Sequence, residues 1–139
     1  MASTNGFKLK ETRPQNATVE EGGTIELYCA VDDWWEWCTF KRADAAICDF
    51  EWRKDVANVT VADCDAFDGR YEYFGDYNHY ECGVRIRNAR PEDAGEWRCD
   101  FESYNAGQTR YYGYKVAGEM GVRVRGADGR VHDGSEYYS

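Results

Sequence analysis

Apolar and polar residues alternate along most of this chain with a period of two. In 24–31 (TIELYCAV), Ile25, Leu27, Cys29 and Val31 share one face. In 48–53 (CDFEWR), Cys48, Phe50 and Trp52 oppose Asp49, Glu51 and Arg53; in 81–87 (ECGVRIR), Cys82, Val84 and Ile86 oppose Glu81, Arg85 and Arg87. The run 96–102 (EWRCDFE) sets Trp97, Cys99 and Phe101 against Glu96, Arg98, Asp100 and Glu102, and 121–125 (GVRVR) sets Val122 and Val124 against Arg123 and Arg125. Each run predicts an antiparallel strand with one buried and one solvated face. Turn signals separate the runs: Gly22-Gly23, Asp32-Asp33, Asp68-Gly69, Asp93-Ala94-Gly95 and Asn105-Ala106-Gly107. Short strands at this spacing predict an all-β sandwich or barrel. The polar, glycine-rich stretch 126–139 reads as a tail or linker after a domain spanning 1–125.

A length of 139 residues bounds the chain to one domain. Its net charge of −9 argues against nucleic acid as a partner, because that affinity rests on Lys and Arg neutralising phosphates. The 6 cysteines have no CxxC metal spacing, and every one within the alternating runs falls on the apolar face. They predict a disulfide framework made in an oxidising compartment. Two N-glycosylation sequons, at Asn16 and Asn58, agree with an extracellular location, secreted or as an ectodomain. With 2 histidines and the cysteines bridged, no nucleophile–base pair suggests itself, and no enzyme activity is expected. The acidic run 63–69 (DCDAFDG) misses the register of a calcium loop, so no metal is expected. No apolar run is long enough to span a bilayer, and no cofactor is implied.

The octet 92–99 (EDAGEWRC) narrows the fold. Its Asp93-x-Gly95-x-Trp97-x-Cys99 pattern resembles the E–F corner and F strand of immunoglobulin domains. The resemblance extends over roughly residues 15–125 and implies a V/I-type Greek-key β-sandwich. It makes Cys29 the partner of Cys99 and Arg70 the partner of Asp93, with Gly95 and Trp97 shaping the corner. More narrowly, Cys29-x8-Cys38, 71–75 (YEYFG), 82–86 (CGVRI) and Gly95-x3-Cys99 are similar to the first immunoglobulin domain of arthropod cell-surface adhesion proteins of the fasciclin III and sidestep kind. That likeness implies a Cys38–Cys82 bridge and leaves Cys48 to pair with Cys64. Two departures stand out. Cys38 takes the inward position where the C strand usually carries Trp, so Trp52 or Trp97 is expected to supply the indole. Trp97 also replaces the usual corner Tyr, removing the hydroxyl that bonds back to the corner. The likeness gives Tyr73, Phe74 and Gly75 a structural role, with Phe74 a candidate core residue.

Aromatic residues supply the candidate site. If Cys38 and Phe40 point inward, Trp35 and Trp37 point outward onto the C–F–G sheet, beside Arg98. The connection 103–115 adds Tyr104, Arg110, Tyr111, Tyr112 and Tyr114. Tyr, Trp and Arg dominate interface hot spots because they bury large, rigid area. The expected function is extracellular recognition or adhesion: binding a protein partner, including a second copy of the chain, through this face and loop. The alternative is a secreted carrier that holds a small apolar or pigment-like ligand among its aromatic loops or between protomers.

Overall fold

The computed structural model describes residues 8–64, 69–103 and 114–138. The strands are β1 (Leu9–Arg13), β2 (Asn16–Glu20), β3 (Ile25–Val31), β4 (Trp37–Arg42), β5 (Ala45–Arg53), β6 (Asn58–Cys64), β7 (Tyr71–Phe74), β8 (Glu81–Ile86), β9 (Gly95–Ser103), β10 (Tyr114–Arg125) and β11 (Val131–His132). They form two sheets. One has the order β1-β3-β8-β7. The other runs β10-β9-β4-β5-β6, with β2 on the far side of β10 and β11 extending the β9 side. Pairing is antiparallel except between β2 and β10, which run parallel. The chain is therefore an all-β sandwich, and the period-two runs are its strands.

The apolar faces meet in one core. Ile25, Leu27 and Val31 from β3 and Val84 and Ile86 from β8 pack with Phe40, Phe50, Trp97, Phe101, Met120, Val122 and Val124 from the other sheet. Cys29–Cys99 and Cys38–Cys82 cross this core from sheet to sheet. Cys48–Cys64 joins direct neighbours on β5 and β6 within one sheet. These are the three pairs the resemblance implies, and they point to an oxidising compartment. No helix among the described residues is long and apolar enough to cross a membrane.

The connection from β8 to β9 is held by a buried ion pair. Asp93 is 1% exposed and Arg70 5%, a burial both could tolerate only as a pair. The Arg70 guanidinium grips both Asp93 oxygens, at 2.7 and 3.0 Å. The backbone N–H of Arg90 donates to Asp93 as well. Gly95 follows at φ +145°, a conformation that L side chains rarely adopt.

Two expectations are corrected here. Residues 126–138 do not trail away. They turn at 126–130, pair with β10 through β11, and pass beneath the corner. Gly134 lies so close that a Cβ on it would come within 2.5 Å of the Ala94 carbonyl oxygen. The Tyr138 hydroxyl donates to the Glu92 carbonyl at 2.6 Å, and Arg42 lies over the Tyr138 ring. Phe74, expected in the core, lies instead on the outer side of its sheet across Gly83, where any side chain would collide with its ring. Tyr73, one position earlier, is the residue that packs on the core.

Candidate recognition face

The outer face of the β10-β9-β4-β5 sheet follows from the inward placement of Cys38, Phe40, Cys48, Phe50, Cys99 and Phe101. Alternation then sends Trp37, Thr39, Lys41, Asp49, Arg98, Asp100 and Glu102 outward. Strand register arranges them in rows. Ala117, Asp100, Thr39 and Asp49 form one row across four strands. Lys115, Glu102, Trp37 and Glu51 form the next.

Short side chains in the first row open a groove of about 540 Å³, lined by Ala46, Ala117, Thr39 and the charged residues around them. The charges neutralise one another locally. Lys41 contacts Asp100 at 2.7 Å, and Arg98 holds the same carboxylate through Nε and Nη2 at 2.7 and 3.2 Å. Arg98 also reaches Asp44 at 3.5 Å, Lys115 reaches Glu102 at 3.8 Å, and the Thr39 hydroxyl donates to Asp49 at 2.6 Å. Such exposed pairs each add only about 0–1 kcal/mol to stability. Their effect is to hold long side chains in fixed places, as a patterned polar surface with Trp37 at one end.

The expected site residues divide. Trp37 and Arg98 are half-buried on the outer face. Trp35 is not there: it is fully buried, against Phe101, Tyr73 and Tyr77. The alternation that placed it outward holds only within a strand, and β4 begins at Trp37. At Glu36 the chain bends; its N–H donates to the Glu102 carbonyl and its own carbonyl accepts from Trp52. Tyr104, Arg110, Tyr111, Tyr112 and the side chain of Tyr114 lie outside the described residues, as does most of the acidic run 63–69. The sequence reading missed Thr39, Lys41, Asp49, Lys115 and Ala117. The parity that put Trp37 outward also places Thr39, Lys41 and Asp49.

A second aromatic group gathers around Tyr77. Its ring stacks on Trp52 at 4.3 Å between centroids, meets Trp35 edge-on at 4.9 Å, and neighbours Trp34 at 5.4 Å. Its hydroxyl donates to the Trp35 carbonyl at 2.6 Å, and burial pushes its pKa up. Trp35 and Trp97 are the two fully buried indoles, whereas Trp52 is half-buried. Among the described residues no group of three or more His, Cys, Asp or Glu could hold a metal ion. Comparison with protein-family models and with curated proteins finds no match for this chain.

Proposed function

We propose that this chain is an extracellular, glycosylated recognition module of the immunoglobulin type, which binds a protein partner through the outer face of β10, β9, β4 and β5. The strand orders β1-β3-β8-β7 and β2-β10-β9-β4-β5-β6 support the type, because variable-type domains order their strands this way. The corner ion pair and the core bridge from β3 to β9 support it too.

The observation that carries the binding role is the outer face itself: a groove floored by short side chains and walled by charges of both signs, with Trp37 beside it, paired across the strands with the groove residue Glu102. A partner reading that surface gains specificity from charge complementarity and affinity from the indole and the Arg98 plane. The face is built on strands locked by two inter-sheet bridges, so little ordering cost falls on binding. The described aromatic rings near Tyr77 pack on one another, which favours a protein partner over a small apolar ligand.

The test is direct. The secreted, glycosylated domain is screened against a second copy of itself, by sedimentation velocity over a concentration series, and against an array of extracellular domains. Trp37→Ala and Arg98→Ala are each expected to weaken the association by about tenfold or more, as a hot spot does. Binding that ignores both substitutions but falls on Glu26→Lys, on the opposite sheet, would place the site elsewhere.

A further inference from the structure

Both sequons open an edge strand of the same sheet. Asn16 is the first residue of β2, and Asn58 the first of β6. In the order β2-β10-β9-β4-β5-β6 these strands are the two ends. Among the described residues β2 pairs only with β10, and β6 only with β5. Each asparagine is exposed and stands on the wall of a groove. Asn16 borders one of about 730 Å³ between β2–β10 and the returning segment 133–138, with Glu96, Arg123 and Ser135. Gly121 leaves room there, since a Cβ on it would come within 2.5 Å of the Asn16 amide oxygen. Asn58 borders one of about 340 Å³, with Trp52, Tyr77, Asp76 and Asn78. The groove on the outer face contains neither asparagine.

A free strand edge is a template for another chain, and proteins blunt it with Lys, Pro, bulges or a cover. β2 (NATVE) and β6 (NVTVADC) carry neither Lys nor Pro. The β6 edge also displays Val61, 54% exposed, with Val56, 55% exposed, in the turn before it. The β5–β6 pairing carries one register shift, between Asp49 and Phe50, which leaves Ala62 of β6 without an opposite residue; the exposed valines beside it still call for a cover. We propose that N-linked glycans at Asn16 and Asn58 cap both free edges, lie along the adjoining grooves, and leave the outer face between them as the surface open to a partner.

The chemistry is ordinary for a chain passing through the secretory pathway, and it rests on the extracellular reading above. A lipid-pyrophosphate-linked oligosaccharide is transferred whole, through its reducing-end N-acetylglucosamine. The bond from asparagine Nδ2 to the sugar C1 forms, and the C1–O bond to pyrophosphate breaks. The lipid pyrophosphate leaves with that electron pair, and Nδ2 loses one proton to solvent. At Asn58 the half-buried Trp52, stacked on Tyr77, offers the part of its indole that Tyr77 leaves uncovered to the C–H face of a pyranose, and Asp76 and Asn78 offer partners to its hydroxyls.

The chain, secreted from a eukaryotic cell behind a cleaved leader, is mapped by mass spectrometry before and after peptide N-glycosidase. Both asparagines are expected to be occupied. Removing the glycans from the folded protein, or substituting Asn16→Gln with Asn58→Gln, is expected to shift the sedimentation profile to larger associates. Val61→Lys is expected to reverse the shift. A secreted, fully bridged chain that is bare at either asparagine overturns the proposal. So does a deglycosylated protein that stays as dispersed as the glycosylated one. Partner binding that survives glycan removal and falls with Trp37→Ala leaves the outer-face reading standing when this one fails. A chain retained in the cell with unpaired cysteines defeats the extracellular reading and this inference together.

Discussion

The indole Nε1–H of Trp97 donates to the backbone carbonyl of Asp93 at 2.9 Å. It closes the turn between β8 and β9 from inside, with the ring 1% exposed and Arg42 stacked beyond it. The corner is thus tied to β9 by an indole nitrogen, although Trp97 has no hydroxyl to offer. Trp97→Phe removes the donor and part of the ring volume. It leaves the Asp93 carbonyl without this partner, and the expected destabilisation is about 2–4 kcal/mol. Denaturant unfolding with the bridges intact measures it; a loss under half a kcal/mol would show that the bond adds nothing.

Asp93→Asn tests the same corner electrostatically. The substitution keeps shape but strips the charge that faces Arg70 at 2.7 Å and Arg42 at 3.8 Å. Arg70, 5% exposed, then faces a neutral amide where the carboxylate stood. Breaking one side of such a pair costs about 3–5 kcal/mol. Arg70→Lys, with Asp93 intact, is expected to retain little of the pair's stabilisation, because an ammonium cannot grip both oxygens as the guanidinium fork does. Equal stability of Asp93→Asn and the parent would dismiss the pair as a structural element.

How much of this was legible beforehand depends on which signal each residue carries. Cys29, Cys82 and Cys99 announce themselves through parity, since each sits in an unbroken alternating run and ends inward. Trp35 does not, because the bend at Glu36 resets the parity one residue before β4 starts. The Trp97 bond was invisible for another reason: its acceptor is a backbone carbonyl, which no side-chain pattern encodes. The groove floor at Thr39 and Ala117 depends on cross-strand register, and register emerges only when strands separated by 78 positions come together.

High pH provides a further test. Burial, and then a hydrogen bond to Glu81 at 2.7 Å, push the Tyr28 phenol from its ordinary 10 up to about 12. Tyr73 and Tyr77 move in the same direction, with burial the main cause. The fold therefore holds these protons more tightly than the unfolded chain does. The Tyr28 contribution is fully present below pH 10 and is lost as pH climbs toward 12, and those of Tyr73 and Tyr77 are lost at higher pH still. The thermal midpoint is expected to fall across that window, with a late class of phenols in the ultraviolet titration. Tyr28→Phe is expected to flatten part of the slope. A single class titrating at its ordinary value in the folded protein would contradict this assignment.

The returning segment 126–138 makes the last prediction. Its anchors are mostly backbone and edge contacts: β11 on β10, Gly134 under Ala94, and Tyr138 on Glu92 and Arg42. None depends on an alternating apolar run, which is why the stretch reads as a tail. Truncation after Arg125 removes the partners of Val124 and Arg125 on the β11 side and uncovers the corner at Gly95. Amide exchange at 91–97 is expected to quicken and the thermal midpoint to drop, while the three bridges still form. Gly134→Ala, which drives a methyl into the Ala94 carbonyl and strains a φ of +89°, is expected to reproduce the exchange effect in the full chain. If both variants exchange like the parent, the segment lies on the corner without supporting it.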